Sequence, residues 1–107
     1  MKVFKTSIQP SAKNINDQLS DQLNDLFQDK IQKDVYLDID QNGNCIDIGQ
    51  KDLYDSFLYR FVIEGSDIQM IKGEHYTDDV YSLALEDILN TLIVNYISEK
   101  NIEAVQY

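Results

Sequence analysis

Val35-Tyr36-Leu37-Asp38-Ile39-Asp40-Gln41-Asn42-Gly43-Asn44-Cys45-Ile46-Asp47-Ile48 decides how this chain folds. Val35, Leu37 and Ile39 alternate with Tyr36, Asp38 and Asp40, the two-residue period that sends successive side chains to opposite faces of a sheet. Asn42-Gly43 supplies the two positive-φ residues of a type I′ turn, and Ile46 and Ile48 resume the alternation, so the stretch predicts a β-hairpin. With Asn42 and Gly43 as the loop, Ile39 falls opposite Ile46 and Leu37 opposite Ile48, while Asp38 faces Asp47 on the other side. Directly opposed like charges are unfavourable in a sheet. Asp38, Asp40 and Asp47 are therefore expected to form an acidic hairpin face that lies in water or meets a cation or a basic partner.

Working outward, Leu58 to Ile63 and Ile68 to Lys72 make a second hairpin through Glu64-Gly65-Ser66-Asp67, with Ile63 paired to Ile68 and Phe61 to Met70. Residues 2 to 9 alternate weakly and read as a short strand ended by Pro10. Between that strand and the first hairpin, Asn14 to Lys33 is an amphipathic helix capped by Ser11 or Asn14. Its apolar side is Ile15, Leu19, Leu23, Leu26 and Phe27. Thr77-Asp78-Asp79 starts a second helix that should run to about Lys100, with hydroxyl cap and acids suited to a helix N-terminus. The final Ile102 to Tyr107 is either an added strand or a loose tail. The expectation is one α+β domain over residues 1–107, an antiparallel sheet of four to five strands with two helices packed on one face, in the order β-α-β-β-β-β-α.

The first helix carries the most distinctive chemistry. Asp17, Asp21, Asp25 and Asp29 recur every fourth residue, a column of carboxylates about 6 Å apart at 1.5 Å rise per residue. Asn24, Gln28 and Gln32 are expected on the same polar side, and no lysine or arginine stands within the column. Like charges at i,i+4 each destabilise a helix by roughly 0.2–0.5 kcal/mol, so the column is a candidate surface for a partner. The second helix is apolar on most sides. Beyond the face containing Leu85, Ile88 and Leu92, a second stripe of Leu83, Ile93, Val94 and Ile97 either packs inside the chain or makes a dimer or other apolar contact.

Composition narrows the partners. Nine lysines and arginines face nineteen acids, a formal charge of −10, which opposes direct binding to nucleic acid or to an anionic membrane. Cys45 is the single cysteine, so no internal disulfide and no cysteine-rich zinc site can form. Asp38 to Asn44 match the opening of an EF-hand loop, yet Gly49 stands where the bidentate glutamate belongs and the flanks read as strands, so no metal is expected. His75 is the only histidine and neither it nor Cys45 sits in a nucleophilic constellation. The four glycines never cluster into a phosphate loop, so no cofactor is expected. Tyr36, Tyr54, Tyr59 and Tyr76 lack the basic groove that base stacking requires. The N-terminal Met1-Lys2-Val3-Phe4-Lys5-Thr6 has no apolar run of the length of a secretory signal, and a cytoplasmic protein is expected.

These readings converge on a non-enzymatic acidic interaction module. Its preferred form is a phage or mobile-element inhibitor that occupies a basic protein surface in place of nucleic acid. The alternative is a homodimeric, chaperone-like or immunity-type protein acting through the apolar flank of the second helix.

Overall fold

The computed structural model describes residues 1–51, 53, 56–74 and 80–107. Among them the chain runs β1 (Lys2–Thr6), α1 (Ala12–Ile31), β2 (Asp38–Asn42), β3 (Cys45–Gly49), β4 (Tyr59–Glu64), β5 (Asp67–Lys72), α2 (Val80–Ile97), a short 3₁₀ turn (Glu99–Asn101) and β6 (Ile102–Gln106). The fold is α+β, with two helices on one face of an antiparallel sheet. The sheet has six strands, in the order β2-β3-β4-β5-β1-β6, where four or five were expected. The sixth is the C-terminal segment, which pairs with β1.

The second hairpin has the expected register, with Ile63 opposite Ile68 and Phe61 opposite Met70. The first turns one residue later than Asn42-Gly43 predicts. Asn42 pairs with Cys45, so the loop is Gly43-Asn44, Ile39 lies opposite Ile48, and Asp40 lies opposite Asp47. Gly43 has φ +62° while Asn44 stays out of the positive-φ region, the arrangement of a II′ turn with glycine first. The slip is by two residues in pairing, so every side chain keeps its face.

The cause lies upstream. The strand predicted from Val35 begins only at Asp38, because the backbone of Val35 to Leu37 is already bound by helix α1. Asn24 Oδ1 accepts from the Leu37 N–H at 2.6 Å and Asn24 Nδ2 donates to the Leu37 carbonyl at 3.1 Å. Gln28 Nε2 donates to the Val35 carbonyl at 2.9 Å.

The core lies between sheet and helices. Ile46, Ile48, Tyr59, Phe61, Ile68 and Phe4 face inward from the strands, against Ile15, Leu19, Leu23 and Phe27 of α1 and Leu85, Leu89 and Leu92 of α2. Helix α1 begins at Ala12, two residues before the expected start, with the Ser11 hydroxyl accepting from the Asn14 N–H. It ends at Gln32, whose φ of 56° puts it in the left-handed region. Helix α2 is held on two sides. Tyr59 Oη donates to the Ser82 carbonyl and Lys2 Nζ to Asn90 Oδ1 on the sheet side; Gln18 Nε2 donates to the Leu92 carbonyl on the α1 side. That explains why it is apolar most of the way round. It stops at Ile97, before the expected Lys100, where Ser98 at φ 75° breaks the helical path. Thr77, Asp78 and Asp79, the expected start, lie outside the described residues.

Both sheet edges are guarded against pairing with another chain. β2 is short and carries Asp38 and Asp40. In β6 an extra residue, Glu103, bulges between the Lys5–Ala104 and Thr6–Ile102 pairs. Short charged strands and bulges are the usual means of blunting an edge.

Candidate functional site

Helix α1 is written in tetrads: Asn16-Asp17-Gln18-Leu19, Ser20-Asp21-Gln22-Leu23, Asn24-Asp25-Leu26-Phe27, Gln28-Asp29-Lys30-Ile31. Four residues advance a helix by about 400°, so each row of the tetrad drifts about 40° per repeat and all four rows drift together. The apolar row Ile15, Leu19, Leu23, Phe27 is buried. The aspartate row sits two residues on, about 200° away, and stays opposite the core for the whole length of the helix. All four aspartates are exposed.

The two remaining rows face neighbouring elements. Asn24 and Gln28, expected beside the aspartates, point instead to the segment before β2, as described. The row containing Gln18 and Lys30 faces α2, where Lys30 pairs with Asp87. Leu26 belongs to that row and not to the core, which is why it is 43% exposed. The tetrad pattern is legible in the sequence, since a polar uncharged residue (Asn16, Ser20, Asn24, Gln28) stands ahead of each aspartate and an apolar one (Leu19, Leu23, Phe27, Ile31) two places after it.

Among the described residues, ion pairs reach one end of the aspartate row only. The earlier helix start puts Lys13 one turn ahead of Asp17, and the two pair at 3.0 Å. Lys33 stands four residues beyond Asp29, but the helix has ended and Lys33 Nζ lies over the Tyr81 ring, 4.8 Å from its centroid. Asp21, Asp25 and Asp29 have no ion pair among the described residues.

The hairpin acids have a different fate: of the alternatives expected for that face, water, a cation or a basic partner, Asp40 and Asp47 meet cations of the chain itself. Asp47 lies between Asp40 and Arg60 in adjacent strands. Arg60 grips it through Nε at 2.6 Å and Nη2 at 2.9 Å. Lys51 pairs with Asp40 at 2.9 Å, and its backbone N–H donates to Asp38 at 3.0 Å. Donating a hydrogen bond to Asp40 lifts Lys51 above its ordinary pKa, and donating to Asp47 does the same for Arg60. A strand charge has a lateral neighbour on each side at about 5 Å, so two opposed aspartates require cations of their own.

Of its two expected places, the apolar flank of α2 takes the one inside the chain. Ile93 and Ile97 are each 1% exposed and Val94 packs against the core, leaving Leu83 alone of the four at the surface. Pressed between sheet and α1, the helix spends that stripe inside the chain. Cys45 is a free, half-buried thiol on the sheet face away from the helices. Tyr59 is a core residue and Tyr36 is exposed. His75, Tyr54 and Tyr76 lie outside the described residues.

A cavity of about 400 Å³ opens beside α2, lined by Lys2, Tyr59, Met70, Lys72, Glu86 and Asn90 among others. Among the described residues no helix is long and apolar enough to cross a membrane. No protein-family model matches the chain, and comparisons with curated proteins and with solved structures return no match.

Proposed function

We propose that this chain is a non-enzymatic interaction module whose α1 aspartate row occupies a basic protein surface and keeps nucleic acid from it. One observation carries the reading. Among the described residues no cation pairs with Asp21, Asp25 or Asp29, which stand exposed on the side of α1 opposite the core, although folding gains nothing from the arrangement. The three i,i+4 repulsions of the row cost about 1 kcal/mol together, and alternating aspartate with lysine would turn that cost into a similar gain. Carboxylates about 6 Å apart on a stiff rod approximate a phosphate run, in which each strand carries one charge per roughly 3.4 Å of axis and winds around it. A net charge of −10 adds long-range attraction toward a basic target.

The test is a pull-down from extract of the source cell, with wild type and an Asp21→Lys/Asp25→Lys variant as baits. Wild type should retain a basic protein that is released by salt and by added nucleic acid, and the variant should not retain it. Retention that survives both high salt and the charge reversal would refute the proposal.

A further inference from the structure

The cavity beside α2 has walls of opposite charge that do not satisfy one another. From the sheet come Lys2, which lies opposite Met70, and Lys72, which lies opposite Tyr59; the buried Met70 and Tyr59 side chains line the cavity too. Lys72 has an interaction of its own within the chain. From α2 come Glu86 and Asn90, four residues apart on one face of the helix and so about 6 Å apart along its axis. Lys2 Nζ donates to Asn90 Oδ1 at 2.8 Å and lies over the rings of Phe4 and Tyr107, 5.4 and 5.1 Å from their centroids. An amide and two ring faces hold the ammonium in place, and none of them carries a compensating charge. Among the described residues Lys5, Lys13, Lys30, Lys51 and Arg60 are each paired with a carboxylate. Lys2 is not, in a chain of net charge −10, although Glu86 faces the same cavity, and Glu86 in turn has no ion pair among the described residues.

We infer that this cavity binds a free α-amino acid with an apolar side chain. A ligand of one charge meets one matching group and one opposing group there, whereas a zwitterion matches both. Its carboxylate accepts from Lys2 Nζ and from the Asn90 amide, and its ammonium donates to Glu86. The two charged groups of an α-amino acid are bonded to one carbon, and with a charge-assisted hydrogen bond of about 2.8 Å at each end they span the helical turn between Asn90 and Glu86. The side chain then lies on Met70 and Tyr59, where an apolar group gains by leaving water. A volume of about 400 Å³ is within the range of roughly 300–1,000 Å³ usual for small-molecule sites, as is the combination of an apolar lining with a few placed polar groups. The cavity shares no residue with the α1 aspartate row, so either reading can fail without the other.

Titration of the whole isotope-labelled chain with L-leucine, L-methionine and L-phenylalanine up to about 10 mM, read by amide chemical shifts, covers affinities down to the millimolar range. At least one of the three should give saturable shifts centred on β1, β5 and the Glu86–Asn90 turn of α2. For L-leucine, isocaproate keeps the side chain and carboxylate but lacks the ammonium, and isopentylamine lacks the carboxylate. Each should bind at least about tenfold more weakly than the amino acid, the loss of one hydrogen bond between charged groups. Glu86→Gln should weaken L-leucine by a similar factor and leave isocaproate no weaker, a split between two ligands that misfolding cannot produce. Lys2→Met should weaken both, with thermal unfolding to check that the variant folds. Three results would each overturn the inference: no saturable shift at the cavity with any of the three amino acids, isocaproate or isopentylamine binding as tightly as L-leucine, or a Glu86→Gln chain that binds L-leucine like wild type.

Discussion

Asn24 and Asp25 are neighbours on one helix, and replacing each by alanine should move stability in opposite directions. Asn24→Ala removes both hydrogen bonds that hold the Leu37 backbone, at 2.6 and 3.1 Å, in front of a Leu37 side chain that is 1% exposed. Each bond contributes about 1 kcal/mol net, and a partly buried N–H and carbonyl left unpaired add to the loss. Alanine returns about 0.6 kcal/mol of helix propensity, so the net cost is about 2 kcal/mol. At about 4–8 °C per kcal/mol for a domain of this size, Tm should fall by roughly 8–15 °C. Asp25→Ala removes two like-charge pairs, with Asp21 and Asp29, worth about 0.2–0.5 kcal/mol each, and gains the same propensity. It should raise stability by about 1 kcal/mol, a gain that shrinks as salt screens the row. Circular-dichroism melts at low and moderate salt measure both. An Asn24→Ala melt within the error of wild type, or an Asp25→Ala variant less stable than wild type, would mean that the rows of α1 are assigned wrongly.

Leu23 is fully buried on the core row, and Leu23→Ala should cost about 2–5 kcal/mol in urea unfolding. At Gly73 an added Cβ would come within 2.1 Å of the Phe57 carbonyl oxygen. That atom is backbone and cannot swing aside, so Gly73→Ala should destabilise by more than about 2 kcal/mol in the same measurement. Lys51 is held above its ordinary 10.5 first by its hydrogen bond to Asp40. A folded value above the unfolded one means that the contribution is complete below the unfolded pKa and is lost as pH rises through the folded value. The stability difference between wild type and Asp40→Asn should therefore stay constant between about pH 6 and about pH 9 and shrink only in strong alkali.

The elements of the fold were readable because each is written in local pattern. Gly65-Ser66 fixes the second hairpin to the residue, since the turn chemistry and the apolar alternation agree there. At the first hairpin Asn42-Gly43 and Gly43-Asn44 are both acceptable loops, and the alternation cannot choose between registers that differ by two. The choice falls to Asn24, which lies thirteen residues from Leu37 and claims its backbone. The sequence gives no local sign of such a long-range hydrogen bond. The four-residue spacing sets the aspartates of α1 in one row, but the same pattern puts Asn24 and Gln28 beside them, because a two-sided helix has only a wet and a dry face. In the structure α1 has four sides, two of them against other elements. For Asp38, Asp40 and Asp47 the local pattern leaves water, a cation and a basic partner all open for a related reason: Arg60 and Lys51 come from outside the hairpin, and only the strand order brings them alongside.

The same residue type thus has two roles, set by geometry. On the sheet Asp40, Asp47 and Asp67 carry cations and Asp38 accepts a backbone N–H; aspartates on α1 face water and, among the described residues, only Asp17 carries a cation.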